Sequence, residues 1–312
     1  MRLFRDGTNA SGGEDASGVG IVARVRANLE TVRSVVALGS ARGGTGKSSI
    51  LINLAAALAL SGRKVGILDA DLNSPSVLSM LAMKAYRGVL PAEWIDPNAG
   101  PLGLRVVGSN LLPDHTSAPI SFVEADSALA LDSQINSNGR SANNQSYSDG
   151  LGDLLSRVRY GALDLLLIDL APGLEAFARI NDLVPRASLI VVSHPSENAA
   201  RANKPLIELA RSRHATVLGI IENMAGFSCD SCHAVRPLMP QGEVVAQANL
   251  LGVPLLERLP FDPRLAESCD RGTIFVRVYA DSPLTKQFNG IANTIGGPAR
   301  QPLHPNLSAV RS

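Results

Sequence analysis

Between the apolar run Val35-Val36-Ala37-Leu38 and the apolar run Ile50-Leu51-Ile52-Asn53-Leu54-Ala55-Ala56-Ala57-Leu58 lies Ala41-Arg42-Gly43-Gly44-Thr45-Gly46-Lys47-Ser48. Strand, glycine-rich turn and helix in that order form the context that a phosphate-binding loop requires. Glycines let the backbone curl until successive N–H groups point inward at one anion. The helix that follows adds the positive end of its dipole. In such a loop Gly43, Gly44, Thr45, Gly46, Lys47, Ser48 and Ser49 surround the phosphates. Lys47 reaches the β- and γ-phosphates, and the Ser48 hydroxyl is a Mg²⁺ ligand. An ordinary glycine-rich turn needs neither the strand before it nor the helix after it. The pattern predicts a nucleoside triphosphate site.

The rest of the chain supplies the scaffold such a loop needs. Short apolar runs alternate with amphipathic stretches, as βαβ units do. Strands are predicted at 35–39, 64–69, 104–108, 163–169, 188–193, 216–222 and 255–259. Helices are predicted at 47–61, 74–83, 149–160, 176–183, 196–213, 242–250, 263–270 and 282–295. Several strands are continuous apolar runs, which fits a parallel sheet covered on both faces and hence an α/β fold. The predicted phosphate-loop domain spans 34–296, after a flexible N-terminal tail at 1–33 that holds one short helix, near 19–32. Within the domain, 133–150 is almost purely polar and reads as a mobile surface insertion; 297–312 reads as a loose tail.

With 312 residues the chain is long enough for one large core. Its formal net charge of +1 gives no electrostatic footprint for nucleic acid or a membrane surface. The longest apolar run, 50–60, is too short to span a bilayer and contains Asn53. The N-terminal stretch has no apolar signal core, and Asp6, Glu14 and Asp15 argue against an organellar transit peptide. Three cysteines then read as thiols in a reducing compartment, with a cytoplasmic location expected.

Three further groups of residues carry chemistry. Asp69-Ala70-Asp71 closes the second strand with two carboxylates placed to orient water and hold Mg²⁺ through water. Leu165-Leu166-Leu167-Ile168-Asp169 is an apolar strand ending in an acid, the form of a Walker B segment, with Asp169 near the Mg²⁺. Cys229-Asp230-Ser231-Cys232 lies in a loop; its thiolates can hold one soft metal or two corners of an iron–sulfur cluster. A redox dithiol and plain surface thiols are the rival readings, although no helix starts here as a redox motif wants.

Together these residues resemble the deviant Walker A ATPases (ParA, MinD and their relatives), and within them the Mrp/ApbC (Mrp/NBP) iron–sulfur carriers. The loop from Arg42 to Ser48 resembles that family's Lys-Gly-Gly-Val-Gly-Lys-Ser/Thr, and Asp69-Ala70-Asp71-Leu72-Asn73-Ser74-Pro75-Ser76 matches its Asp-Ala-Asp-x-x-x-Pro-Ser. Glu222-Asn223-Met224, Cys229-x-x-Cys232 and Leu259-Pro260-Phe261-Asp262 resemble further motifs in the same order. The resemblance implies a doubly wound, mainly parallel sheet and a homodimer closing on ATP and Mg²⁺. It implies that Asp71 orients the attacking water and that Asn223 reads adenine. Cys229 and Cys232 would hold a 4Fe–4S cluster shared across the dimer, for delivery to apo iron–sulfur client proteins.

The chain departs from this pattern at Arg42, where the family has a lysine that reaches the partner's phosphates. Arginine keeps the charge but brings a fork of different reach, so slow ATP turnover is expected. The segment Ala171-Pro172-Gly173-Leu174-Glu175-Ala176 also lacks an acid that the family carries after its Walker B strand. Two other readings follow from the same nucleotide loop: a partition or positioning ATPase like ParA and MinD, and a nucleotide-sensing scaffold with little turnover.

Overall fold

Strand β1 (Val32–Gly39) is buried from Val35 onward and stands in the middle of the sheet, because both of its faces are apolar enough to be covered. The computed structural model describes residues 15–84, 94–108, 142–228, 234–239 and 242–297. Helix α1 (Asp15–Asn28) precedes β1, and α2 (Lys47–Leu60), β2 (Val65–Asp69), α3 (Val77–Met80), β3 (Asn98–Ala99) and β4 (Arg105–Gly108) follow it. Then come α4 (Ala142–Arg157), β5 (Leu163–Asp169), α5 (Glu175–Leu183), β6 (Ser188–Ser193), α6 (Glu197–Ser212) and the long β7 (Val217–Ser228). The last described elements are β8 (Val235–Arg236), α7 (Glu243–Leu251), β9 (Leu255–Phe261), α8 (Pro263–Asp270), α9 (Phe275–Val278) and α10 (Pro283–Gly296).

The sheet runs β3-β4-β2-β5-β1-β6-β7-β8, with β9 also on β7. All pairings are parallel except β3 on β4 and β8 on β7. The chain winds outward from β1 to β2 and β4, returns at β5, then crosses β1 to build β6, β7 and β9. This is the expected doubly wound α/β fold, and its strand order reverses at β1, where such sheets bind ligands. One apolar layer packs α1, α4, α5, α6 and α7 against one face, centred on Phe177, Leu154 and Leu206. The other packs α2, α3, α8, α9 and α10 around Phe275, Phe288 and Leu51. No helix among the described residues is long and apolar enough to cross a membrane.

Several elements differ from their predicted extent. The short N-terminal helix is not part of a loose tail: α1 sinks Val25 and Leu29 into the core, and Arg186 seals its end by donating to the Leu29 and Val32 carbonyls. Helix α4 starts at Ala142, so 142–150, predicted to belong to the polar insertion, is helical. Leu151, Leu154 and Leu155 anchor that helix, and extending a formed helix backward needs no new nucleus. Residues 133–141 and 298–312 lie outside the described residues. Helix α3 is only Val77–Met80: Asp69 caps its start by accepting the N–H groups of Ser76 and Val77, and Ala82 turns left-handed, at φ +50°, just past its end.

Helix α2 is apolar on every side, so it is buried between the sheet and α10. Its one interior polar residue, Asn53, is 1 % exposed. It donates Nδ2 to the Ser49 carbonyl at 2.9 Å and accepts the Val276 N–H at 3.1 Å. Asn53→Ala leaves that buried N–H unpaired, and a loss of about 2 kcal/mol is expected. Urea unfolding measures it; a loss below about 0.5 kcal/mol would show that the tie contributes nothing.

Candidate functional site

The loop after β1 is shaped by its glycines. Gly44 and Gly46 adopt φ of +73° and +83°, the left-handed region that side-chain-bearing residues avoid. Gly46 is the N-cap of α2, and no side chain caps that helix. Residues 43–49 line a cleft of about 630 Å³ together with Asp71, Asn73, Ser74 and Pro172. The predicted phosphate-loop residues and Asp71 thus share one cavity. Arg42, next to it, is exposed.

The loop is braced from several elements at once. Ser40 is fully buried; its hydroxyl donates to the Arg42 carbonyl at 2.6 Å and accepts the Lys47 ammonium at 3.0 Å. The Gly173 N–H reaches the Ser40 carbonyl at 2.9 Å. From α6, Asn203 accepts the Ala41 N–H at 2.9 Å. From β7, Asn223 donates its amide to the Thr45 carbonyl at 2.8 Å, with both residues buried. The His194 imidazole lies 3.1 Å from the Gly44 carbonyl. Ser40, Asn203 and His194 were not marked by the sequence: Ser40 adjoins the loop and could have been suspected, but nothing local signals the other two.

Below the loop lies a group of buried charges. Asp69 and Asp169 sit side by side in the β2–β5 register. Asp169 is 2 % exposed; its Oδ2 accepts the Ser48 hydroxyl at 2.5 Å, while its buried Oδ1 has no hydrogen-bond partner. Burial raises its pKa to about 7, against the opposing effect of the Ser48 hydrogen bond. Asp69 is raised by burial to about 6 although it accepts the backbone N–H groups of Val77, Asp71 and Ser76. It shapes the turn that carries Asp71. Asp71 is half-buried and accepts the Ser74 N–H at 3.1 Å. Burial lowers the pKa of Lys47, and the charges of Asp169 and Asp71 oppose that shift.

An orphaned carboxylate oxygen and a serine hydroxyl beside a lysine and an uncapped helix start form a hard-oxygen, anion-ready site. That donor set suits Mg²⁺ carried on phosphates. Cys229 and Cys232 lie outside the described residues, which resume at Ala234 beside β8. The described part of that hairpin is β7 paired to β8, Phe227 on Arg236 and Ser228 on Val235.

Known proteins resemble this chain in sequence and in fold. An iron-sulfur cluster carrier protein from Saccharolobus solfataricus is 34% identical, over 87% of this chain and 86% of its own length. The cytosolic Fe-S cluster assembly factor nubp2 of Danio rerio is 31% identical, over 86% of this chain and 96% of its own. Among solved structures, a nucleotide-binding protein from Archaeoglobus fulgidus in complex with ADP superposes with a TM-score of 0.65 and 26% identity, covering 81% of this chain and 92% of that one. The septum site-determining protein MinD of Pyrococcus horikoshii shares the fold alone, with a TM-score of 0.57 and 19% identity over 85% of this chain and 96% of its own. The family model for the NUBPL iron-transfer P-loop NTPases of the ParA group matches residues 31–135 and 143–296. The chain belongs to that family of iron-transfer P-loop NTPases.

Proposed function

We propose that this protein is an ATP-dependent carrier that holds an iron–sulfur cluster and passes it to apo client proteins, working as a homodimer. The observation that carries the nucleotide half is the Ser48–Asp169 contact beneath an uncapped α2, with one Asp169 oxygen left unpaired. The cargo half is supported by the likeness to proteins named as iron–sulfur carriers and assembly factors, and by the Cys229/Cys232 pair in the sequence. The Cys229/Cys232 pair offers two thiolates and a cluster wants four ligands, so the same pair of a second copy completes the set.

Each residue has a role in this reading. Backbone N–H groups of 43–49 cradle the phosphates, and Lys47 leaves its Ser40 partner to meet them. Ser48 and Asp169 hold Mg²⁺, which supplies charge neutralisation for the transferred phosphoryl group. Asp71, at the cleft wall, orients the attacking water. Arg42 points its charge outward, toward the partner's phosphates, with slower turnover than a lysine there would give. Asn223 borders the nucleotide site from β7.

Three measurements test the assignment. Lys47→Ala is expected to weaken MgATP binding about 100-fold, the effect of removing one charge-assisted hydrogen bond to phosphate, with an unchanged circular dichroism spectrum. Unaltered affinity would overturn the nucleotide site. Anaerobic reconstitution with iron and sulfide should give one 4Fe–4S cluster per dimer, and neither Cys229→Ala nor Cys232→Ala should acquire it; a wild-type protein that takes up no cluster sinks the carrier reading.

The third uses pH. In the unfolded chain Asp169 ionises near pH 4, but in the fold near pH 7, so the folded state holds the proton longer. Stability of the nucleotide-free protein therefore falls as pH rises from about 4 to about 7. Asp169→Asn removes that loss, so its melting temperature should exceed the wild type's at pH 8 and match it near pH 4. MgATP should stabilise the wild type and leave the variant little changed. A variant no more stable than wild type at pH 8 would contradict the buried-charge account.

A further inference from the structure

Strand β7 serves two pairings along one backbone. Up to Glu222 it runs between β6 and β9 in the parallel sheet. Its last residues, Phe227 and Ser228, turn into the antiparallel ribbon with β8. The two halves meet at Asn223 and Met224. There the pairing with β9 loses its register, which resumes only at Phe227. Met224 holds φ at +60°, the left-handed region that an unbranched apolar side chain has no reason to enter by itself.

The kink is clamped on both sides. Before it, the Asn223 amide is bonded to the Thr45 carbonyl, and it lies against Gly46 so closely that any Cβ at that position would collide with it. After it, Gly226 packs on β8 with so little room that a Cβ would come within 2.7 Å of the Arg236 carbonyl and the Val235 side chain. The Thr45 carbonyl and the Gly46 N–H belong to one rigid peptide and point in opposite directions. By holding the carbonyl, Asn223 fixes the direction of the N–H at the very start of α2, where an anion binds. A phosphate that pulls on the N–H turns the same peptide, and Asn223 feels the turn.

We propose that Asn223 positions the phosphate loop, and that the clamped, strained Met224 joint is where β7 takes up the loop's movement and passes nucleotide occupancy on to the β7–β8 ribbon. The inference rests on the carrier reading for its purpose, since Ser228 leads directly into Cys229. A loop one peptide away from the phosphates is thereby tied to the ribbon that flanks the cysteines. Such coupling runs both ways: whatever the ribbon binds also alters nucleotide affinity by the same factor.

Amide hydrogen exchange on the iron-free protein tests it, with Mg²⁺ and a non-hydrolysable ATP analogue. In the wild type the analogue should slow exchange of residues 225–228 and 235–236 about tenfold, an ordinary size for coupling between sites. Met224→Gly keeps the left-handed backbone accessible but frees the joint. It should bind the analogue within about twofold of wild type and lose the ribbon's protection. Asn223→Asp keeps the shape while turning a donor into an acceptor facing the Thr45 carbonyl; saturated with analogue, it too should show no ribbon response. Were Met224 merely structural, its variant would melt earlier but keep the nucleotide response in full. That result, or a wild-type ribbon indifferent to nucleotide, overturns the proposal. Because no iron is present, failed cluster reconstitution would strike the carrier reading alone and leave this measurement standing.

Discussion

A buried helix has to do something with its first N–H groups, and in this protein that demand organises everything around the nucleotide site. Helix α2 is enclosed from Ile50 to Leu58, so water cannot solvate its flanks, and no side chain caps its start. The chain leaves those donors facing a cleft floored by Lys47 and walled by glycine backbone. An anion is the natural cap for such an end, and phosphate oxygens can accept from several N–H groups at once. The glycines are required here by geometry: a side chain at Gly46 would meet Asn223.

The two acids under the loop divide the remaining tasks by their hydrogen bonds. Asp69 gives both its oxygens to backbone N–H groups and so shapes the turn that presents Asp71. Asp169 receives one hydroxyl and keeps an oxygen unpaired in a dry place. Such an oxygen destabilises the empty protein. It becomes an asset once a divalent cation sits beside it, which is why a poorly satisfied carboxylate in a strongly satisfied sheet reads as a binding group.

How much of this was legible in the sequence follows from how local each feature is. Gly44 and Gly46 reveal their turn because the left-handed conformation is a property of the residue itself. The parallel sheet shows in its apolar runs, and Asp169 shows as the acid at the end of one. Asn203 and His194, by contrast, reach the loop from far along the chain, and no period or spacing announces such contacts. The shortened α3 was hidden because its start is set by Asp69, which caps Ser76 and Val77 from the end of β2, and its end by an alanine, Ala82, in the left-handed region. The extension of β7 to Ser228 was hidden because Asn223, Met224 and Gly226 break the strand pattern. Each miss is a contact or a backbone conformation overriding a local preference.

The bracing of the loop also decides where the molecule can respond to what it binds. Ser40 and Gly173 fix the loop toward β5, Asn203 toward α6, and Asn223 toward β7. A loop held this way before the ligand arrives loses little conformational freedom on binding, so less affinity is surrendered to ordering it. It also has little room to move by itself. Any change imposed by the phosphates must therefore be taken up by its supports, and these are not equally stiff. The strands β1 and β5 keep an unbroken register from Ser34 to Leu38, with both faces buried. Strand β7 alone among the supports combines a register break, a left-handed non-glycine residue and a change of pairing partner within a few residues. Close-packed elements shift as units and yield at their irregularities. The irregularity nearest the phosphates lies on the strand that ends at the cysteine pair.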